Sequence, residues 1–303
     1  MGSVRGSAED GPHRPRGAPA ETTDEATNGA TKGATDGDTS WAAAGEGAGL
    51  DARRFVLAVA PDEGAPCLTP EDTQHALRVL RVAVGETLIG LDGRGAAWPL
   101  RVTAADRRSL AVAVAGEPER APAPGSAAGA GPAVEVALSL PRGNRAEDLM
   151  GTLTQLGIQR LTPLVLRRSP PHAREAGAAR RERLLRAGRE ASKQCGRLWF
   201  PEVGEPSTLS AWLAARAEGA ALAWLDPYAA EGLLGWDAAH RAAPLALAFG
   251  PEGGFAPEEE AALAAHGARR ARLGGHVLRL ETAAAAAVAV VMAEAARGQA
   301  TRE

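Results

Sequence analysis

Short apolar runs alternate with turn-forming residues through the first structured part of this 303-residue chain. The runs predicted as strands are 55–60, 87–91, 98–104 and 110–115. Asp92 and Gly93 separate the second run from the third, and an Asp-Gly pair is typical of a tight β-hairpin. Short strands at this spacing, with one or two helical turns expected at 74–79, predict a small β-rich domain over residues 53–116.

Apolar runs alternate with segments of helical periodicity from residue 134 onward, which is the pattern of a largely parallel sheet covered by helices. The predicted strands are 134–140, 160–166, 221–225, 245–249 and 270–273. The predicted helices are 146–156, 174–195, 257–266 and 282–296. The sequence therefore predicts an α/β domain over residues 134–303. A linker rich in Pro, Ala and Gly is expected at 117–133.

The first 52 residues have a different composition, with almost no aliphatic side chains. Such a segment buries too little apolar surface to offset the entropy lost on ordering, so residues 1–52 are predicted to be a disordered acidic tail. The tail carries a net charge of −5 and the rest of the chain +2, which together give the chain its −3. A polybasic electrostatic binder is thereby excluded, although a local basic face remains open.

Cysteine, histidine and apolar content exclude several classes of protein. Two cysteines, Cys67 and Cys195, cannot build a disulfide scaffold or a cysteine-based zinc site, and Cys195 is expected to be a small buried side chain. The histidines show no paired spacing, so no metal is predicted. The chain has no apolar run of about 18–20 residues that would span a bilayer. A soluble cytoplasmic protein without a membrane partner is expected.

A glycine-rich loop stands between a predicted strand and a predicted helix, with the sequence FGPEGGF at 249–255. Glycines let a ligand approach the main chain closely, and ligands in open α/β sheets bind at the carboxyl ends of strands. The loop has neither the P-loop spacing nor the dinucleotide-binding spacing. From the glycines alone, a ligand site and a tight connection without a ligand both remain open.

A second loop, LGGHVLRLETA at 273–283, again joins a strand to a helix. It places Arg279 and Glu281 just before the predicted helix, where Thr282 is a candidate cap. Two basic segments, at 140–145 and 189–197, are candidates for phosphate contacts. Their clustered guanidinium groups suit phosphate oxygens. All these charges are also compatible with solvated surfaces, and that alternative stays open.

Several motifs taken in order resemble the RsmE family of ribosomal RNA methyltransferases. They are LPRGNRAE at 140–147, TQLGIQRLTPL at 154–164, QCGRLWFPEV at 194–203, FGPEGGF at 249–255 and LGGHVLRLETA at 273–283. The segment from Arg53 to Gly93 also resembles the PUA-like RNA-binding domain of that family. The chain departs from the family pattern at Thr152, Gln155 and Lys193, the last standing where an acid is usual.

The resemblance implies a C-terminal domain of the SPOUT class with a deep trefoil knot, preceded by a small PUA-like β-barrel. It also implies a homodimer that methylates N3 of a uridine in the 16S rRNA of the small ribosomal subunit. S-adenosylmethionine is the implied methyl donor. Two alternatives stay open: another SPOUT reaction such as ribose 2′-O methylation, or a non-catalytic RNA-binding protein of ribosome assembly.

The resemblance also assigns site residues. The donor is expected to contact Leu225, Gly250, Pro251, Glu252, Gly253, Gly254, Leu273, Gly274, Val277 and Leu278. The rRNA is expected to contact Arg54, Arg78, Arg81, Arg142, Arg145 and Arg197. A valine at Gly253 is expected to abolish donor binding.

The chemistry of N3 makes one further demand, since uracil keeps its N3 proton at neutral pH. Arg279 is the candidate for stabilising negative charge that develops on the base carbonyls. Glu281 is the candidate for accepting the proton or for orienting Arg279. These two residues are the predicted catalytic pair.

Overall fold

The computed structural model describes residues 53–126, 128, 131–174, 177–216, 220–234 and 244–300. The predicted acidic tail lies outside the described residues. Within these residues the strands form two sheets. Elements of the first are β1 Arg54–Val59, β2 Cys67–Leu68, α1 Pro70–Arg78, β3 Thr87–Leu91, β4 Ala96–Ala105, β5 Leu110–Val114 and β6 Glu119–Arg120.

The first sheet has the strand order β2-β1-β3-β4-β5, with β6 pairing β4. The turn at Asp92 and Gly93 joins β3 to an antiparallel β4, as the hairpin signal predicts. β2 and β5, at opposite ends of this order, lie in contact, so the sheet is nearly closed. Phe55, Leu88 and Leu100 fill its interior. β6 lies within the stretch predicted as a linker. This part of the stretch is a strand because its two residues pair with the start of β4.

The second sheet begins after residue 133. Its elements are β7 Val134–Leu138, α2 Arg145–Gln155, β8 Arg160–Val165, α3 Pro171–Arg174, α4 Ala178–Cys195, β9 Glu202–Val203, β10 Ser207–Thr208, α5 Leu209–Ala214, β11 Ala221–Leu225, β12 Leu245–Phe249, α6 Pro257–Ala265, β13 Arg269–Ala271 and α7 Leu280–Ala300. The strand order is β10-β8-β7-β12-β11-β13, with β9 pairing β8, and every pairing is parallel. This arrangement confirms the predicted α/β class.

Helices cover both faces of the parallel sheet, because its strands are apolar on both sides. Val136 and Leu138 of β7 pack with α2, α4 and α7, whereas Ala137 packs with α5 and α6 on the opposite face. α7 begins at Leu280, two residues earlier than predicted. Glu281 therefore lies in the first turn of α7, and the expected cap at Thr282 is wrong.

A short segment of the α/β part, residues 197–200, extends the turn of the β3–β4 hairpin. Gly95 N donates to Leu198 O at 3.1 Å, and Phe200 N donates to Gly93 O at 3.0 Å. Both glycines have positive φ, and a Cβ at Gly95 would lie 2.6 Å from the Trp199 ring. Only glycine lets the hairpin turn and residues 197–200 approach this closely.

A nearly buried ion pair joins the same two parts of the chain. Lys193 Nζ on α4 donates to Asp72 Oδ1 on α1 at 2.7 Å, and Asp72 also accepts from Val56 N. Burial alone would lower the pKa of Lys193, but the hydrogen bonds to Asp72 and Glu190 outweigh it, so the pKa is raised. Lys193, one of the three departures from the family pattern, thus connects the β-rich domain to the α/β domain.

Candidate functional site

A cavity of about 690 Å³ opens at the carboxyl ends of β11 and β12, beside the end of β13. Three segments form most of its wall, at 224–228, 249–255 and 270–280. Ligands of open α/β sheets bind at this edge of the sheet. The structure therefore brings the two glycine-bearing loops singled out in the sequence to one crevice.

The loop after β12 is tightly folded around Gly250. Gly254 N donates to Pro251 O at 2.8 Å, and Gly254 has a φ of +70°. A Cβ at Gly250 would lie 2.9 Å from Gly254 C and 3.0 Å from Phe255 N, both backbone atoms that cannot move without opening the loop. A Cβ at Gly253 would meet only the Arg168 side chain, at 3.4 Å. Gly250 is therefore the glycine of this loop with the least room for a side chain, and the effect expected of a valine at Gly253 stays a prediction.

Arg168 holds this loop from outside. Its guanidinium donates to Gly253 O at 2.7 Å and to Phe255 O at 2.9 Å, on either side of the left-handed Gly254. Arg168 follows β8 in a turn in which Ser169 Oγ accepts from Leu166 N at 2.9 Å. The sequence reasoning missed this residue. Its position just after a predicted strand was the available signal, because carboxyl ends of parallel strands share one edge.

All ten residues predicted to contact a methyl donor line the cavity. They are Leu225, Gly250, Pro251, Glu252, Gly253, Gly254, Leu273, Gly274, Val277 and Leu278. Backbone amides and apolar side chains predominate among them, which suits a ligand with an aromatic ring and few charges. Their contact with a donor stays a prediction.

The two residues of the predicted catalytic pair lie in different surroundings, and only Arg279 lines the cavity. Arg279 lines the cavity and is exposed, and its side chain has no hydrogen-bond or ion-pair partner among the described residues. Glu281 lies outside the cavity lining, and its Oε1 is 3.3 Å from Arg145 Nη1 at the start of α2. That distance allows an ion pair, but the two atoms do not meet hydrogen-bond geometry. The Arg145 contact is consistent with a positioning role for Glu281, and its catalytic role stays a prediction.

Replacing Glu281 by glutamine is expected to lower kcat less than about 5-fold, because the change removes one partly exposed ion pair. The loss should vary little between neutral and alkaline pH. Turnover measured across that pH range, with Arg145→Gln as the matched variant that removes the other partner, checks this. A loss of roughly 10²–10⁴ that shrinks as pH rises would instead mark Glu281 as the general base.

The arginines predicted to contact RNA fall on both domains. Arg78 and Arg81 are exposed at the end of α1, and Arg142 and Arg145 are exposed at the start of α2. Arg54 is half-buried on β1. These five stay predictions as RNA contacts.

Arg197 requires a correction. Its guanidinium donates to Trp199 O at 2.5 Å, to Thr154 O at 3.0 Å and to Ile158 O, and burial lowers its pKa to about 10. A guanidinium occupied by three backbone carbonyls inside the protein is not available to a phosphate. Arg197 instead joins the end of α2 to the segment that follows α4.

Two further findings concern side-chain chemistry. Cys195 is exposed in the last turn of α4. The prediction that its side chain is buried is therefore wrong. Among the described residues, no cluster of three or more His, Cys, Asp or Glu side chains is arranged to hold a metal ion.

Within the same part of the chain, no helix is long and apolar enough to cross a membrane.

Comparison with known families assigns the class. Residues 130–292 match the model of the RNA methyltransferase domain, and residues 68–114 match that of the RNA methyltransferase PUA domain. A parallel α/β sheet with its cavity and a nearly closed β-sheet are therefore the two parts of an RNA methyltransferase.

Individual relatives narrow the class to one family. The ribosomal RNA small subunit methyltransferase E of Mycobacterium bovis is 34% identical over 246 residues, which cover 79% of this chain and 91% of the relative. The enzyme of the same name from Synechocystis is 29% identical and is covered over 77% of its length. The chain belongs to this methyltransferase E family, and the resemblance drawn from its motifs is confirmed.

A solved structure shows the same fold. A methyltransferase from Legionella pneumophila, solved with bound SAM, is 28% identical and superposes with a TM-score of 0.68. The match covers 80% of this chain and 98% of the Legionella protein.

Proposed function

We propose that this chain transfers a methyl group from S-adenosylmethionine to N3 of a uridine in 16S rRNA of the small ribosomal subunit, as a cytoplasmic homodimer. The observation that carries the proposal is the cavity at the carboxyl ends of β11 and β12, where the glycine loop around Gly250 leaves no space for a Cβ. Such a cradle allows a ligand to lie directly against backbone amides. When bound there, S-adenosylmethionine supplies an electrophilic methyl group.

The residues present fit that donor. Leu225, Leu273, Val277 and Leu278 offer apolar surface, and the glycine loop at 250–254 offers main-chain groups. Arg168 keeps that loop closed through its two bonds to carbonyl oxygens. The Legionella relative, whose structure contains SAM, supports the same assignment.

Arg279 is the residue that acts on the RNA base in this proposal. Its guanidinium, which has no partner among the described residues, lies at the cavity and is placed to stabilise the negative charge that forms as N3 loses its proton. Glu281 acts through Arg145, which it holds near the start of α2. Alignment of the base with the methyl carbon supplies much of the remaining acceleration.

Recognition of a large folded RNA should appear in the substrate preference. We expect assembled small subunits to be methylated far better than short oligonucleotides, because the exposed arginines are spread over two domains joined by the Lys193–Asp72 pair. The rate should fall steeply with salt, as counterions compete for phosphate contacts. Small subunits from a strain lacking the gene, incubated with the protein and donor, provide the substrate.

Mass spectrometry of the digested rRNA then identifies the product. A methyl group on N3 of a uracil, distinguished from the C5 isomer by a synthetic standard, supports the proposal, whereas a methyl group on ribose would establish the 2′-O reaction in its place. Equal rates on a short uridine oligomer would contradict recognition of folded RNA. Absence of donor binding by calorimetry would favour a non-catalytic assembly protein.

A further inference from the structure

Tyr228 is an exposed aromatic side chain at the mouth of the cavity. It follows β11 by three residues, lines the cavity, and has 80% of its surface accessible to solvent. An aromatic ring left in water at this exposure forgoes most of the free energy that its burial would provide. Neither the donor contacts nor the catalytic residue described above uses it.

The backbone beneath this ring is firmly held. Tyr228 N donates to Asp226 Oδ1 at 2.9 Å, and Ala229 N donates to Asp226 O at 3.1 Å. Asp226 N in turn donates to Ala271 O at 2.9 Å, and the Arg270 guanidinium binds the Asp226 carboxylate. Two hydrogen bonds between Arg272 and the segment at 231–233 tie the end of this loop to β13. The ring is thus presented from a fixed loop instead of a loose one.

Arginine side chains line the same cavity as Tyr228. Arg272 and Arg279 both line the cavity, both are exposed, and neither side chain has a partner among the described residues. Arg168 and Arg270, by contrast, are engaged with backbone oxygens and a carboxylate. Guanidinium groups without a protein partner beside a cavity are suited to phosphate oxygens.

An aromatic face next to free arginines is the combination that binds unpaired nucleotides, whose bases stack while their phosphates pair with guanidinium groups. We propose that Tyr228 stacks on a base of the RNA strand that enters the donor cavity, with Arg272 contacting the adjoining phosphate. This inference rests on the proposed function and adds to it the residue that holds the unstacked strand. An enzyme that acts on a base edge must draw that base out of its stack, and an aromatic platform compensates part of the cost.

The composition of the chain supplies a direct probe, because Tyr228 is its single tyrosine. Protein grown with 3-fluorotyrosine therefore gives one ¹⁹F resonance that reports on this ring. We expect the resonance to shift when a short single-stranded RNA of mixed sequence is added. It should shift far less with an abasic strand of the same length, which carries the phosphates without the bases.

Three results of this titration would overturn the proposal. An equal shift with the abasic strand would leave only a charge contact. A shift produced by S-adenosylhomocysteine alone would assign the ring to the donor. A shift that follows protein concentration in the absence of RNA would place it between two copies of the chain.

Kinetics provide an independent measurement. Tyr228→Ala should raise KM for small subunits about 10-fold, the loss expected for one stacked base, while donor affinity stays unchanged. Tyr228→Phe, which keeps the ring, should restore KM to nearly that of the unaltered protein. Leu234→Ala is the matched control, since Leu234 is 69% exposed on the same segment but lies outside the cavity lining.

The two proposals fail in different ways. If the unaltered protein methylates small subunits and Tyr228→Ala does so with the same KM, the stacking role is wrong and the proposed function stands. If the unaltered protein methylates no RNA but its ¹⁹F resonance responds to bases, the stacking surface stands and the proposed function is wrong.

Discussion

Arg279→Ala is expected to lower kcat by about 10²–10³, the loss typical of removing one group that stabilises an oxyanion in the transition state. The guanidinium lies at the cavity and has no partner within the described part of the chain, so its charge is available to the base carbonyls. Donor affinity should change little, because the predicted donor contacts come from backbone amides and apolar side chains. Single-turnover rates on small subunits, together with calorimetry of the donor, measure the two effects separately.

Arg107→Ala is the matched control for this prediction, since Arg107 is an exposed arginine in the turn between β4 and β5, away from the cavity. It should leave kcat unchanged. If Arg279→Ala keeps normal turnover and normal rRNA binding, Arg279 is a solvated loop charge. If the variant loses donor binding as much as turnover, its role lies in the cavity wall.

Gly250→Ala is expected to weaken donor binding by on the order of 10- to 100-fold, the equivalent of about 1–3 kcal/mol for overpacking a closed loop. The added methyl would meet Gly254 and Phe255 backbone atoms at 2.9–3.1 Å, so the loop must open to admit it. Calorimetric titration with the donor gives the affinity, and circular dichroism establishes that the variant is folded.

Gly253→Ala places the same methyl group in the same loop, where it meets only the Arg168 side chain, at 3.4 Å or more. Its affinity for the donor should fall much less. Equal losses in both variants would mean that any side chain in this loop blocks the donor directly. Unchanged affinity in Gly250→Ala would remove the loop at 250–254 from the donor site.

Much of the architecture could be predicted from local pattern. The run at 245–249 is apolar at every position, which is typical of a strand buried on both faces, and the structure has β12 there. Asp92 and Gly93 predict the hairpin because few other residues adopt the turn it needs. Glycine loops placed directly after such strands predict where a ligand cavity opens, since parallel strands end at a common edge.

The roles of charged residues could not be predicted in the same way. Glu281 is two residues from Arg279 in sequence, yet the first turn of α7 directs it towards Arg145 instead of the cavity. Arg197 has the appearance of one more basic surface residue, but its guanidinium donates to carbonyls of Thr154 and Ile158, which lie about 40 positions away in sequence. Lys193 departs from the family pattern. Its role in joining the two domains depends on its partner Asp72, which lies 121 positions away in sequence.

The sequence by itself determined the family, the alternation of strands and helices, and the glycine loops that border the cavity, because these depend on backbone conformation and on the period of apolar residues over short distances. The tertiary structure alone decided which glycine has no room for a side chain, which arginines lack a partner among the described residues, and where the Tyr228 ring is presented. Those properties depend on atoms contributed by segments far apart in the chain. The sequence around a residue does not reveal which distant hydrogen-bond acceptor or steric neighbour will lie against it.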